Sequence, residues 1–347
     1  NENFNAMAIQ YKSLNANYNK GDTFLNGIVP FVAYGIVVTI HMPMCLGMTN
    51  IIAPILSPKE FTEFMIKYKP NHTITVPTYV EHFVHDRKAD SMNWKCLKNL
   101  GIGGDYFPEQ SEIYVNEFLK NHGSSSIAEK GYGMTENSST AGVCLVGVNK
   151  INSLGIPLPL NTYGIFERGT DKELKYGEEG EICITGPTEM LGYLDNEEEE
   201  GKVIKIHSDG KKWIHSEDVG IIDEDGFLFF KGRYKRLIPH GGFKLYPSYI
   251  EGVIMKHPNI DNCCVISIPD KVYGASPEAH VVIKKDSVSE LKKLKEELIK
   301  LCQDKLPSYS QPEDFIFEED LPLTSVGKVD YKKVEKMRIK KLEESTK

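Results

Sequence analysis

From Gly21 to Lys130 short apolar runs alternate with helical segments, and this alternation constrains the fold more than any other feature of the chain. Gly21-Asp22-Thr23-Phe24-Leu25 reads as a strand entry and Met48 to Ile55 as a buried strand. Ser57-Pro58-Lys59-Glu60 opens a helix through Lys67, with Pro58 in its first turn, and Thr73 to Val76 forms the next strand. A helix from Tyr79 to Asp86, a strand from Leu97 to Gly101, a helix from Glu109 to Asn121 and a strand around Ser126 to Lys130 continue the series. Strand and helix at this spacing imply βαβ units and a largely parallel sheet.

Leu25 to Leu56 carries no charged residue other than a protonatable His41, so its length alone would allow a membrane span. Pro30, Gly35, Pro43 and Gly47 break the run, and Ser57-Pro58 ends it. It therefore reads as a buried helix followed by a buried strand, with no membrane span. Asn1 to Tyr18 looks like the interior of a helix and loop without an initiating Met, so an upstream part is expected.

From Gly155 the texture changes to short strands and turns. Glu181-Ile182-Cys183-Ile184-Thr185-Gly186 alternates, Gly192-Tyr193 closes it, and Glu197 to Glu200 reads as an acidic loop, so antiparallel structure is expected. Val219 to Ile222 and Phe227 to Phe230 form a hairpin about the turn Asp223-Glu224-Asp225-Gly226. Gly232-Arg233-Tyr234-Lys235-Arg236 and Pro239-His240-Gly241-Gly242 then mark the passage into a second body. There Pro247 to His257 is a helix, and Cys263 to Ile268 and Ala279 to Lys284 are strands. Val288 to Lys305 is a helix with Ser287 and Glu290 as a capping box and Leu291, Leu294, Leu298 and Leu301 as its apolar stripe. The fold class is α/β: a large N-terminal region (residues 1–234) with a parallel-sheet part (1–154) and a small β-rich part (155–234), then a small α+β domain (235–347).

A net charge of -8 over 347 residues leaves no electrostatic footprint for nucleic acid, and the lysines from Lys284 to Lys300 read as a solvated helix face. The seven cysteines include no C-x-x-C pair, which suits reduced thiols in a cytoplasmic protein. Adjacent Cys263 and Cys264 would face opposite sides of a strand.

Several residues could carry chemistry. Asp218 can accept from paired hydroxyls, and Arg233 can donate to ribose or phosphate oxygens. Gly101-Ile102-Gly103-Gly104-Asp105 follows a strand, where glycines admit a flat ligand or phosphate, or simply form a tight turn. Gly131-Tyr132-Gly133-Met134-Thr135-Glu136, read as following a strand, offers an aromatic face, a hydroxyl donor and a hard carboxylate suited to Mg²⁺. Gly180 to Tyr193 reads as structural. Leu323-Thr324-Ser325-Val326-Gly327-Lys328-Val329-Asp330 exposes one lysine on a glycine turn, a pattern that most often means a solvent-facing side chain.

In this order the pieces resemble the adenylate-forming superfamily of acyl-CoA synthetases, peptide-synthetase adenylation domains and firefly luciferase. GYGMTE is similar to that family's YGxTE motif, GEICITGPTEMLGYL to GELxIxGxxxxxGYL, SED to TGD, GRYKRLIPHGG to GRxDxxIKxxG, and TSVGKVD to the catalytic-lysine loop. The resemblance covers nearly the whole chain and implies ATP-dependent formation of an acyl-adenylate from a small carboxylic acid, then transfer to CoA or to the phosphopantetheine of a carrier protein. It implies that Glu136 holds Mg²⁺, Thr135 contacts phosphate and Tyr132 stacks on adenine, with Gly133 and Met134 in the same motif. Asp218 and Arg233 would bind the ribose, Gly103, Gly104 and Asp105 would line the adenine side, and Lys328 would bridge acid and α-phosphate. Lys235 would be the hinge of a mobile C-terminal domain, Gly241 and Gly242 the thioester loop, and Tyr34, Pro77 and Thr78 the acid pocket.

Some positions depart from the family pattern. Glu217 stands where TGD has glycine, Lys235 where the hinge is commonly Asp, Pro239 where a lysine is common, and Asp105 where Glu or Ala is usual. The family's phosphate loop should lie before Asn1, so this chain alone is expected to adenylate poorly. No phosphopantetheine-type GGDS motif follows Lys328, so a carrier would be a separate chain. A non-catalytic nucleotide-binding relative is the remaining alternative. The resemblance does not fix the acid or the oligomeric state.

Overall fold

The computed structural model describes residues 2–14, 16–53, 57–284, 290–324 and 328–345. It divides into two compact units, residues 1–230 and 231–347.

The first unit opens with α1 (Glu2–Ser13) and β1 (Thr23–Asn26). A π-helix, Tyr34–His41, then runs into the short helix Met42–Cys45. Gly35 permits the tight entry, since a Cβ there would lie 2.0 Å from the Val29 carbonyl oxygen. There follow β2 (Thr49–Ile52), α2 (Pro58–Tyr68), β3 (His72–Thr75), α3 (Pro77–His85), β4 (Asn99–Ile102), α4 (Glu109–Asn121), β5 (Ala128–Met134), β6 (Ser139–Val143) and β7 (Ile156–Pro157). These strands form one seven-stranded sheet in the order β2-β1-β3-β4-β5-β6-β7. It is parallel through β5 and antiparallel beyond. Ser57 and Glu60 make the capping box that starts α2.

Alternation along the strands splits the core. Leu25, Leu100, Ile102 and Ala128 pack with Phe61, Phe83, Trp94 and Leu119, whereas Phe24 and Ile74 pack with Met7, Val37, Val38 and Met42. Helices cover both faces, as a parallel sheet requires.

A second, antiparallel sheet contains β8 (Thr162–Phe166), β9 (Gly180–Thr185), β10 (Ile204–Ile206) and β11 (Lys212–Ile222) in the order β10-β11-β9-β8, with β12 (Leu228–Arg233) paired to β11. The expected hairpin is present, and its turn is closed by Asp223 N to Phe227 O at 3.0 Å.

The second unit holds β13 (Ile238–His240), β14 (Phe243–Leu245), α6 (Pro247–Ile254), β15 (Ile260–Asp270), β16 (Gly274–Ile283), α7 (Leu291–Lys305), β17 (Phe315–Glu318) and α8 (Tyr331–Ser345). Its sheet runs β14-β13-β16-β15, with β17 parallel to β16. Cys263 packs with Leu294 and Phe315, and Cys264 with Leu321 and Val334, so the adjacent thiols do face opposite sides of β15.

Four expectations are corrected. Within the Met48–Ile55 run, β2 is an edge strand with Ile52 half exposed, because only β1 flanks it; Pro54 and Ile55 lie outside the described residues. Gly131 to Met134 lies within β5 instead of after it, because pairing with β6 extends the strand. Glu197 to Glu200 forms the first turn of a helix, α5 (Glu197–Val203), where four carboxylates meet the positive end of the dipole. The stripe of α7 runs through Leu294, Leu298 and Cys302, with Leu301 half-buried against the same core as expected, but Leu291 is 54% exposed at the helix start. Ser287 and Val288 lie outside the described residues.

Candidate functional site

At the carboxyl end of the parallel sheet, the chain leaves β1, β3 and β4 through glycine or proline. Gly27 N donates to Ile74 O and Gly103 N to Thr75 O, each at 3.1 Å, so the backbones continue side by side past the strand ends. Tyr34 lies against this edge: a Cβ on Gly103 would come within 2.9 Å of the Tyr34 Oη and Cε1. The acid-pocket candidate Tyr34 and the adenine-side candidate Gly103 are therefore in contact. Burial raises the Tyr34 phenol well above its ordinary pKa. Gly104 has φ +88°, a conformation that favours glycine, and turns the chain so that Asp105 is exposed. Pro77 starts α3, and Thr78 is exposed in its first turn.

β5 carries the next group. Tyr132 is buried, packs edge-on against Tyr163, and donates its hydroxyl to Asp218 Oδ2 at 2.8 Å. Gly133 cannot be replaced without moving backbone, since its Cβ would lie 1.8 Å from Ser139 O. Met134 ends the strand, and a 3₁₀ turn, Thr135–Asn137, presents an exposed Thr135 and a half-buried Glu136. Tyr193 Oη donates to Glu136 Oε1 at 2.5 Å, Met190 N to Glu136 O at 2.7 Å, and Thr188 Oγ1 to Asn137 Oδ1 at 2.9 Å. Burial and the Glu136 carboxylate raise the Tyr193 phenol. The GPTEMLGYL segment thus holds the TEN turn, a contact the sequence reading missed because it took Gly180 to Tyr193 as structural alone.

Asp218 sits in an interruption of β11. The register with β9 pairs His215 with Cys183 and then Val219 with Glu181, so Ser216-Glu217-Asp218 is extruded as a bulge. Glu217 has φ +56°, which explains why glycine suits this position in the motif it resembles. Ser216 Oγ donates to Ile182 O at 2.6 Å and accepts from Asp218 N at 3.0 Å. Asp218 is 3% exposed.

At the opposite edge of the sheet, by the amino ends of these strands, a polar chain runs from strand to strand. Lys98 Nζ and His72 Nε2 donate to Asp22 Oδ2 at 2.8 Å, His72 Nδ1 is 2.7 Å from Asn99 Oδ1, and Asn99 Nδ2 donates to Glu129 Oε1 at 2.9 Å. Burial pushes the Glu129 carboxyl up to about 8. Next to it in sequence, Lys130 points the other way and donates to Glu112 Oε2 at 2.5 Å, both side chains being buried.

The remaining candidates belong to the second unit. Arg233 is exposed at the end of β12, and Lys235 is exposed in the 3₁₀ turn Tyr234–Arg236. Gly241 and Gly242, with φ +54° and +89°, form the exposed turn between β13 and β14. Lys328 is exposed on a closed loop in which Thr324 N donates to Lys328 O at 2.7 Å and Lys328 N to Thr324 Oγ1 at 3.2 Å. Ser325, Val326 and Gly327 lie outside the described residues.

Chemically, the first unit offers a held carboxylate, a glycine-lined sheet edge and a Thr–Glu turn. A half-buried carboxylate beside an exposed hydroxyl fits Mg²⁺, which uses one or two carboxylates together with substrate phosphates.

Residues 1–194 match the family model described as AMP-binding enzyme, and residues 249–328 match that of the AMP-binding enzyme C-terminal domain. The chain is 32% identical over 315 residues to a probable 4-coumarate–CoA ligase 1 of Dictyostelium discoideum, covering 90% of this chain and 55% of that protein. It is 30% identical over 322 residues to a long-chain-fatty-acid–CoA ligase of Bacillus subtilis, covering 92% and 54%. It therefore spans about half the length of the curated relatives it matches. Its fold matches an anthranilate CoA ligase solved with anthranoyl-AMP, with a TM-score of 0.84 at 20% identity, over 96% of this chain and 62% of that one.

Proposed function

The chain belongs to the AMP-binding enzyme family, within the adenylate-forming superfamily, and we propose that it serves the ATP-dependent activation of a carboxylic acid to an acyl-adenylate and the transfer of the acyl group to the thiol of CoA. The observation that carries this reading is the buried Asp218, held by Tyr132 of β5, the strand that pairs with β4 ahead of Gly103 and Gly104. A fixed carboxylate accepts from both ribose hydroxyls, and the glycines leave room for the flat base. Arg233 adds a donor to the ribose, and Asp105 borders the adenine side with Gly103 and Gly104. Thr135 donates to phosphate. Glu136 would hold Mg²⁺, which when bound neutralises phosphate charge. Lys328, carried by the second unit, bridges the acid oxygen and the α-phosphate as negative charge gathers there.

Transfer to the thiol follows rotation about Lys235, which brings the Gly241-Gly242 turn to the thiol path. Tyr34, with Pro77 and Thr78, borders the acid. The names of the relatives support CoA as the acceptor and an aromatic or long-chain acid as the substrate. All seven cysteines are free thiols, which supports a cytoplasmic setting. No described helix is long and apolar enough to cross a membrane.

The test is pyrophosphate release, with hydroxylamine trapping, across short, medium, long, aromatic and amino acids, using this chain and an upstream-extended protein. Release by the extended protein with one acid class is expected, falling about 10²- to 10³-fold in Lys328→Ala. Silence with every acid overturns the reading. Release followed by transfer only to a carrier thiol replaces CoA as the acceptor.

A further inference from the structure

The GEICITG segment holds a buried carboxylate that the proposed chemistry leaves unused. Glu181 is 3% exposed, and its two oxygens accept three N–H groups: Glu217 N at 3.0 Å on Oε1, and His215 Nδ1 at 3.0 Å and Gly169 N at 3.1 Å on Oε2. Although burial pushes it up, the His215 and backbone donors hold the carboxyl below its usual range.

Glu181, Cys183 and His215 also bring an oxygen, a sulfur and a nitrogen within 4.8 Å of one another. The spacing would suit a metal, but the carboxylate already serves two backbone amides, and burial raises the Cys183 thiol far from the thiolate a metal needs. The donors assign this carboxylate to the backbone.

One of those donors is decisive. Glu217 is the residue at φ +56° in the bulge, a conformation that L side chains adopt at a cost. Its amide is tied to Glu181, and its neighbour is Asp218. Ser216 secures the other side through Ile182 O and Asp218 N. His215 is itself braced by His207, Nε2 to Nε2 at 2.9 Å, and His207 lies stacked with Trp213.

We propose that Glu181 is a positioning residue: it clamps the left-handed Glu217 and so fixes the Asp218 carboxylate toward a ribose diol. The proposal rests on the nucleotide reading above. The clamp accounts for how a glutamate is held at a bulge position where glycine would be unstrained.

Two measurements test it. Amide exchange at Ser216 to Val219, without ligand, is expected to quicken at least tenfold in Glu181→Gln, whose NH₂ would face an amide donor. Calorimetric titration with AMP, 2′-deoxy-AMP and 3′-deoxy-AMP is expected to show that Glu181→Gln lowers the preference for AMP about tenfold, with far-ultraviolet dichroism unchanged. Glu181→Gln/Glu217→Gly is expected to recover much of that preference, because glycine holds the left-handed turn without the clamp. A general structural role would not give that rescue. Should Glu181→Gln fail to fold, Glu181→Asp keeps the charge and withdraws it by one methylene, with the same two readouts. Wild-type exchange rates and wild-type ribose preference in a folded Glu181 variant overturn the proposal. Faster exchange in the variant, with no AMP binding by the wild type, overturns the nucleotide reading while leaving the clamp in place.

Discussion

The Tyr132 hydroxyl donates to Asp218 Oδ2 at 2.8 Å, joining β5 of the parallel sheet to β11 of the antiparallel sheet inside one unit. Both residues are buried, so the bond is shielded from water. Tyr132→Phe removes the donor and keeps the ring. Stability is expected to fall by about 1–2 kcal/mol, read from the urea midpoint, and AMP affinity to fall with it. An unchanged midpoint and affinity would show that the bond matters to neither.

Glu217→Gly replaces a strained residue with the one that suits φ +56°. The left-handed conformation costs a non-glycine residue about 1–2 kcal/mol, and glycine gives back about 0.5–1 kcal/mol in backbone entropy. A gain of roughly 0.5–1 kcal/mol in unfolding free energy is expected. A loss of that size would mean that the Glu217 side chain contributes more than the strain costs.

Glu129 makes stability depend on pH. Its folded pKa of about 8 lies above the ordinary 4.5, so the folded chain keeps a proton that the unfolded chain releases. Its contribution is fully present below about pH 4.5 and is lost as pH rises through about 8, with a slope of up to ~1.4 kcal/mol per pH unit between. Glu129→Gln keeps an acceptor for Asn99 and is expected to flatten that fall in urea midpoints measured from pH 5 to 8. An equally steep fall in the variant would assign the dependence to another group.

Lys130 and Glu112 form a buried pair, and Glu112 Oε2 also accepts from Asn152 N at 2.9 Å. Lys130→Met leaves a buried carboxylate without its cation and is expected to cost about 3–5 kcal/mol. Adding Glu112→Leu is expected to recover part of that loss, the Asn152 amide limiting the recovery. A double-mutant cycle in chemical denaturation separates the two contributions.

The parallel part of the fold was legible because its punctuation is local. The helix read from Glu109 to Asn121 is α4 with those ends, and Ser57 with Glu60 marks the start of α2. The β2 segment was misread because an apolar run does not say whether one or two neighbours will flank it. Glu197 to Glu200 was misread because a run of carboxylates suits a solvated loop and the first turn of a helix equally well.

The site divides in the same way. Glycines, the Thr135-Glu136 pair and Asp218 stand out as residue types, and the structure places Gly103 with Tyr34 and Tyr132 with Asp218. Tyr193, Glu181 and His215 did not stand out. Their partners are set by loop packing and strand register across dozens of positions, and no short pattern declares such meetings.

Four steps along β11, His215 to Val219, face only two along β9, Cys183 to Glu181. Because the surplus is even, the strand leaves the bulge with the same side turned inward as when it entered. A deletion or insertion of one residue there would turn Val219, and the hairpin beyond it, inside out. Changes of residue type within the bulge disturb only its own few bonds. Length is therefore the quantity under constraint between His215 and Val219, and a spacer of wrong parity is more damaging there than any single wrong side chain.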